Sequence, residues 1–380
     1  MEIKNLKKAA KRILKAIKDR EKIILYGDAD IDGSASVIIL KKSIEELGGK
    51  ISATYFPDRE IEGYGISVTG LKFLKKFVPA LLVAVDCGIG NLVEVDLANK
   101  LGFEVIIVDH HLVLSKLPKA KIIVDPKQKG DKYPFKELAA TGVVFKLAEV
   151  ILGDKMTAVL RQDFLELTAL ATIADMMPQE EDNKIFIEQG LSRIEDSFWP
   201  GIKTFFEMNP FQDPTHLNQK ISKLISILNS RDIKNGEPAS FKLLNSSSKQ
   251  ESRQIIKKLL QENEIKKERI EAIKEEIEWQ LSKKEESIIF LGSSQWEFSF
   301  IGLLASIFCN KYKKPTFIFK KGIKESRGSV RTPPGVNSVA LMEKCSRNLL
   351  VFGGHPAASG FQIKNKNLEK FKACLISQLK

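Results

Sequence analysis

The residues Val108-Asp109-His110-His111 close an apolar run, Phe103 to Val108, that is interrupted only by Glu104. Carboxylate oxygens and imidazole nitrogens are the donors that hold divalent cations such as Mn²⁺ and Mg²⁺. A buried strand does not ordinarily end in three such side chains. Three further apolar runs end the same way: residues 22–27 at Asp28, residues 81–85 at Asp86 and residues 122–124 at Asp125. In an open parallel sheet, ligands bind outside the carboxyl ends of the strands. Four strands that each deliver an aspartate there predict one polynuclear metal site.

The elements that position these donors can be read from the pattern around them. Asp28, Asp30 and Asp32 alternate through Gly27-Asp28-Ala29-Asp30-Ile31-Asp32-Gly33-Ser34. In an extended turn this spacing puts a pair on one side, where the two can share a cation. Gly33 and Ser34 then open a helix predicted over 35–48, whose first amides can receive a phosphate oxygen. A calcium loop is excluded, because its twelfth position counted from Asp28 is Ile39 rather than glutamate, and a strand precedes it. Strand–helix alternation runs on through Asp125. Helices are then predicted over 145–152 and 164–174, the second apolar almost all round and therefore buried. It ends at Asp175, and a carboxylate at the edge of a core needs a compensating charge, which a metal provides.

From residue 247 to about 284 the composition turns to Lys and Glu, with Ile255, Ile256, Leu259, Leu260, Ile270, Ile273 and Ile277 at helical spacing. This predicts one long or once-broken helix joining two lobes, with a coiled coil disfavoured because no heptad is sustained. Beyond it lies a second α/β unit: strand 287–291, helix 300–311 and strand 316–319. Arg327, Gly328, Ser329 and Arg331 follow, and then a turn predicted at Gly353-Gly354-His355. Paired glycines let a backbone approach an anion, and arginine grips one bidentately. Of the four histidines, only His216 lies outside the two clusters.

The 60 Lys and Arg exceed the 48 Asp and Glu by 12, which favours a polyanionic partner such as nucleic acid. No apolar run approaches the roughly 20 residues that span a bilayer, and the start lacks the core of a signal peptide. No membrane association is therefore expected. Cys87, Cys309, Cys345 and Cys374 lack zinc spacing and read as isolated thiols in a reducing cytoplasm.

Taken together, these residues resemble the DHH phosphoesterases, whose signature is similar to Val108-Asp109-His110-His111, and Gly353-Gly354-His355 resembles that of their DHHA1 domain. Within that superfamily the chain resembles the RecJ-like single-strand exonucleases. The similarity extends over residues 27–33, 85–88, Asp125-Pro126-Lys127-Gln128 with 133–138, 141–147, 172–175, 229–231 and Gly328-Ser329-Val330-Arg331. The resemblance implies an α/β fold, with a parallel-sheet DHH domain (1–246) joined by a long helix (247–285) to a smaller α/β DHHA1 domain (286–380).

It further implies metal ligands at Asp28, Asp30, Asp86, His110 and Asp175, with His111, Asp32 and Asp109 completing or orienting the site. Substrate would be held by Arg327, Gly328, Ser329, Arg331, Gly353, Gly354 and His355. Two Mn²⁺ ions, with Mg²⁺ as substitute, would activate a water for attack on phosphorus. Ile24 stands four residues before the first acid, where many phosphodiesterases of the superfamily carry histidine, so the pattern is nuclease-like.

The expected activity is hydrolysis of single-stranded DNA in preference to RNA, from 5′ to 3′ with release of 5′-mononucleotides, in repair or recombination. A crevice between the lobes is expected to admit one strand and refuse a duplex. Two departures bear on this. The chain looks like a core-only version without the OB-fold of full-length RecJ, which lowers expected processivity. Glu297 and Ser299 stand where the family usually has His and Gly. The alternatives are a short-oligonucleotide phosphodiesterase and a non-catalytic replication-fork scaffold. The second is disfavoured because every expected acid and histidine is present.

Overall fold

The computed structural model describes residues 2–379 apart from 60, 114–115, 209–215, 230–232, 235 and 284–285, and of residues 234 and 355 it describes the backbone. The expected motif at 229–231 therefore lies, past Asn229, outside the described residues. The chain divides into two compact units, residues 1–263 and 264–380.

The first unit runs α1 (Leu6–Lys18), β1 (Ile23–Gly27), α2 (Ile31–Glu46), β2 (Ile51–Tyr55), α3 (Val68–Leu74), β3 (Ala80–Val85), α4 (Leu92–Leu101), β4 (Phe103–Val108) and β5 (Ile122–Val124). Helices then dominate: α5 (Ala140–Leu152), α6 (Ala158–Ala174), α7 (Glu181–Leu191), α8 (Pro200–Met208) and α9 (Leu217–Leu228). A short ribbon, β6 (Ile233–Lys234) with β7 (Glu237–Pro238), and α10 (Ala239–Leu244) lead into α11 (Lys249–Ser282).

Strands β1 to β5 form one all-parallel sheet in the order β2-β1-β3-β4-β5. Side chains alternate across it. Leu25, Val83 and Ile106 join one core with residues of α1, α2, α5 and α6, while Ile24, Leu82 and Val105 join a second with Leu71 and Leu74 of α3 and Val95 and Ala98 of α4. Burial on both faces explains why the central strands read as unbroken apolar runs. The strand order reverses between β1 and β3, and a crevice opens at such a switch point beyond the strand ends. Asp28 follows β1 and Asp86 follows β3, so two of the acids flank it.

Several helices begin earlier than their apolar spacing predicts. α2 starts at Ile31 rather than 35, because the Asp30 carboxylate accepts from the Gly33 amide and caps it. The Gly33 and Ser34 amides, expected to be open to a phosphate, are thus engaged, the second by the Asp30 carbonyl at 3.0 Å. α5 and α6 start at Ala140 and Ala158 rather than 145 and 164. α5 opens on the small or polar Ala140-Thr141-Gly142, which periodicity does not register, and the start of α6 is set by Thr157, whose hydroxyl accepts from the Leu160 amide at 3.1 Å.

Helix α11 is continuous over 34 residues, with the Ser248 hydroxyl accepting from the Glu251 amide at its start. Its early residues Ile256 and Leu259 pack into the core of the first unit, and Ile277 packs into a core of the second. The second unit continues β8 (Ile289–Ser293), α12 (Phe298–Tyr312), β9 (Thr316–Lys321), β10 (Glu325–Arg331), α13 (Ser338–Lys344), β11 (Leu349–His355), β12 (Ala358–Lys364) and α14 (Leu368–Ser377). Its mixed sheet has the order β11-β12-β10-β9-β8, with α12 on one face and α13 and α14 on the other.

Two expectations are corrected here. Gly353-Gly354-His355 ends strand β11 rather than forming a free turn, and it pairs with Gly360, Ser359 and Ala358 of β12. Cys345 and Cys374 are joined in a disulfide, so only Cys87 and Cys309 are isolated thiols. Spacing along the chain does not reveal that α14 returns to lie beside the end of α13.

Candidate metal centre

The acids meet because three parallel strands end side by side. Asp86 follows β3 directly with φ at +58°, in the left-handed region that non-glycine residues visit at a cost, and its amide is tied to the Val108 carbonyl at 3.0 Å. Asp28 and Asp86 are almost wholly buried, as are Asp32, Asp109 and His110. Among the described residues, ligand-capable atoms fall into three clusters, each within 4.8 Å: Asp28, Asp30 and Asp86; Asp86, His110 and His111; and Asp32, His110 and Asp175. Asp86 and His110 are shared between clusters, which is the arrangement of a polynuclear centre.

His110 provides the test of whether the donors fit a metal. Its Nδ1 lies 3.0 Å from the Leu138 carbonyl, which can only accept, so Nδ1 carries the proton. Burial holds the imidazole below its ordinary pKa and therefore neutral. Nε2 thus presents a lone pair to Asp86 at 3.4 Å, Asp175 at 3.6 Å and Asp32 at 3.8 Å. A lone pair facing three carboxylates calls for a cation among them, and a histidine oriented by a backbone carbonyl is the usual support of a metal ligand. The acids carry the same message. Burial, reinforced by Asp32, Asp30, Asp109 and Asp175, pushes the Asp86 carboxyl well above its ordinary value. Asp175 is pushed up to about 7, first by burial and then by Asp32 and Asp30.

The remaining histidine is prepared differently. His111 Nδ1 meets Asp109 Oδ1 at 2.7 Å, and the Asp109 carboxylate also accepts the amides of His110 at 2.8 Å and Ile89 at 3.0 Å. Against the upward push of burial, His111, His110 and the Ile89 amide hold Asp109 down at about 2. Burial works to lower His111, but its bond to Asp109 prevails and raises it. The result is an ionised carboxylate orienting a readily protonated, partly exposed imidazole.

Asp32 has a positional task. Its carboxylate accepts the Ala140 and Thr141 amides at 2.8 Å each and the Thr141 hydroxyl, capping α5, which has no cap of its own. Asp125, expected to join the acids, does not. It is buried and lies outside the three clusters, one oxygen accepting the Lys127 amide at 2.7 Å, because β5 is the outermost strand.

The segment after β2 contributes two residues that the sequence reading missed. The Arg59 guanidinium grips both oxygens of Asp28, with Nε at 2.7 Å from Oδ1, and reaches Asp30 Oδ2 at 3.0 Å. The Tyr64 hydroxyl donates to the Asp86 carbonyl at 2.9 Å and lies 3.1 Å from His111 Nδ1. The one available signal was Gly63-Tyr64-Gly65, a polar, glycine-flanked aromatic between two predicted elements.

In the second unit, strand alternation sorts the expected substrate residues. Arg327, Ser329 and Arg331 share one face of β10, and Arg331 Nη1 lies 3.0 Å from Ser329 Oγ. No carboxylate pairs with Arg331 among the described residues, and burial lowers its pKa. Gly328 turns to the opposite face, where a Cβ would stand 2.1 Å from the Phe361 ring, so its glycine serves packing. A Cβ at Gly354 would stand 2.6 Å from Ser359 Cα, whereas at Gly353 it would meet open space. The His355 side chain lies outside the described residues.

Comparison with known proteins agrees with this geometry. The profile of the DHH family, N-terminal domain, matches residues 22–172, and that of the DHHA1 domain matches 285–380. The single-stranded-DNA-specific exonuclease RecJ of Bacillus subtilis is 32% identical over 98% of this chain and 48% of its own length. That of Escherichia coli is 27% identical over 98% and 68%. The chain thus spans about half to two thirds of the curated relatives it matches. The crystal structure of exonuclease RecJ bound to manganese superposes with a TM-score of 0.83 at 25% identity, covering 100% of this chain and 95% of that one. RecJ from Thermus thermophilus in complex with Mn²⁺ shares the fold, with a TM-score of 0.84 at 23% identity over 100% of this chain and 55% of that one. With both domain profiles matched in order and the acids and histidines of the signature gathered at one set of strand ends, the chain belongs to the DHH family and carries a DHH N-terminal domain followed by a DHHA1 domain.

Proposed function

We propose that this chain is a divalent-metal-dependent exonuclease that hydrolyses phosphodiester bonds of single-stranded DNA in repair or recombination. The observation that carries the reading is the His110 lone pair, fixed by the Leu138 carbonyl and aimed at Asp32, Asp86 and Asp175. Asp28, Asp30 and Asp86 would hold one ion, and His110 and Asp175, with Asp86 shared, a second. Bound Mn²⁺, with Mg²⁺ as a substitute, supplies an activated water and offsets charge on the phosphoryl oxygens.

The chain's own residues do the rest. His111, oriented through Nδ1 by the ionised Asp109, delivers a proton from Nε2 to the leaving oxygen. Tyr64 limits rotation of that ring. Asp32 holds α5 in place beside His110. Arg327, Ser329, Arg331, the open Gly353 backbone and His355 grip the nucleic-acid backbone, Gly328 and Gly354 shaping the strands that present them.

We assign residues 1–246 to the DHH domain, 247–285 to the connecting helix and 286–380 to the DHHA1 domain. The preference for DNA follows the likeness to relatives named as single-stranded-DNA-specific exonucleases, and 5′ to 3′ digestion to 5′-mononucleotides is what the family resemblance of the sequence implies. The scaffold alternative has no support in a site whose acids are all present and converge. The test is digestion of single strands labelled at the 5′ or 3′ end, with Mn²⁺ or with EDTA. The expected result is metal-dependent shortening from the 5′ end. Products that form equally in EDTA would reject the reading.

A further inference from the structure

Helix α1 carries the basic residues Lys7, Lys8, Lys11, Arg12, Lys15 and Lys18 and no acid. Lys7 pairs with Glu2 at 2.8 Å, and Arg12 is held by Glu21 and Glu104. The other four are exposed, and among the described residues no carboxylate pairs with them. Their spacing of three, four and three residues puts them on one face, in a row about 15 Å long. A merely solvated face mixes both signs. Helix α11 does so, with acids and bases in equal number and the pairs Glu264–Lys267 and Glu271–Lys274. In α1 the lysines three and four apart repel one another, and Lys8 stands in the first turn, where the helix dipole disfavours a cation. A like-charged row that weakens its own helix calls for a polyanion.

The setting of the helix narrows the choice of polyanion. A lipid surface takes a basic helix by its apolar face, and here Leu6, Ala9, Ala10, Ile13 and Ala16 are already buried in the core of the first unit. Lys4 Nζ holds the Lys129 carbonyl at 2.8 Å and the Asn5 side chain holds the Ile123 carbonyl at 3.0 Å, so α1 starts at the carboxyl end of β5. Arg12, on Glu21 ahead of β1 and Glu104 in β4, draws the helix toward the amino ends of the strands. The row therefore begins on the side of the sheet where the metal donors lie and leads away from them. No aromatic residue stands on α1, so the row grips phosphates without stacking bases.

We infer that Lys8, Lys11, Lys15 and Lys18 form a second nucleic-acid contact, a track for the phosphates of the substrate strand beyond the part engaged at the metal centre. This rests on the single-strand reading above, and strand length separates the two. All four lysines are replaced together by Gln, and in a second variant by Arg, both good helix formers. Binding of a labelled oligothymidylate of about 40 nucleotides is followed by fluorescence anisotropy in EDTA over a range of salt. Cleavage of an oligothymidylate of about 5 nucleotides, too short to reach the row, is followed in Mn²⁺.

In the Gln variant the long strand should bind about tenfold or more weakly, with a salt slope shallower by roughly 3. Its short-strand cleavage and melting temperature should match or exceed those of wild type, and the Arg variant should keep long-strand affinity. Long-strand affinity and slope unchanged in the Gln variant overturn the track, as does an equal loss in the Arg variant. A matching fall in short-strand cleavage also overturns it, because the lysines would then act through overall charge. Unchanged strand binding with lost binding to phosphatidylserine vesicles assigns the row to a lipid surface instead. Failure of wild type to bind or cleave single strands overturns the reading above, and this inference with it.

Discussion

Asp86 shows how position and chemistry combine in a single residue. Burial and four neighbouring acids make its ionised form costly without a cation. Its φ of +58° suits asparagine far better than alanine, so Asp86→Asn removes the charge and spares the backbone. We expect Asp86→Asn to lose hydrolysis by about 10³-fold or more while its melting temperature in EDTA stays equal to or above that of wild type. A variant that cleaves well in Mn²⁺ would contradict the assignment. Asp109→Asn tests the other half of the site. It keeps a hydrogen bond to His111 and loses the charge that raises that imidazole. A fall in kcat of about 10²-fold or more, with metal stoichiometry intact, is expected.

Helix α6 and strand β11 each hide a polar or glycine residue whose role only the surrounding element explains. Glu166 lies inside the apolar length of α6, 1% exposed, accepting from the Ser197 hydroxyl with its second oxygen unpartnered. Burial pushes its carboxyl up to about 7 from the usual 4.5. A raised acid binds its proton more tightly folded than unfolded, so stability is fully present below the unfolded value and declines as pH rises from about 4.5 through about 7. Glu166→Gln should therefore gain on wild type between pH 5 and pH 8, by on the order of 1–3 kcal/mol, read as a widening difference in melting temperature. A constant difference would show that Glu166 does not titrate there. In β11 the adjacent glycines should part company. Gly354→Ala places a Cβ against Ser359 at a φ of +129° and should destabilise by about 1–3 kcal/mol. Gly353→Ala should melt as wild type does and bind labelled single strands less tightly. Equal effects on stability would remove the case for an open backbone at Gly353.

Across the whole chain, 60 basic against 48 acidic residues leave a net charge of +12, which suits a polyanion gathered through its phosphates. Such contacts release counterions, so cleavage of a single strand should fall steeply between about 50 and 200 mM salt. The same strand annealed to its complement should resist digestion. A time course on both forms checks this, and equal degradation of a blunt duplex would reject single-strand specificity.

Sequence alone determined the sheet and most of the donors, because both are local. Strands buried on two faces read as apolar runs, and the acids and histidines that end them, Asp28, Asp86, Asp109, His110 and His111, stand next to the residues that announce them. Tertiary structure decided how the donors are used, through partners far away in the chain. Asp32 finds the Ala140 amide 108 residues on, and His110 finds the Leu138 carbonyl 28 residues on. Arg59 and Tyr64 reach the site from a loop with no periodicity, and Cys374 reaches Cys345 only because α14 packs back onto the sheet. Asp125, with the same local signature as the other acids, falls outside the clusters because β5 lies at the sheet edge. Periodicity specifies which face of an element is buried; which elements become neighbours is set by long-range packing, and that choice gathered the donors of the proposed metal centre at one set of strand ends.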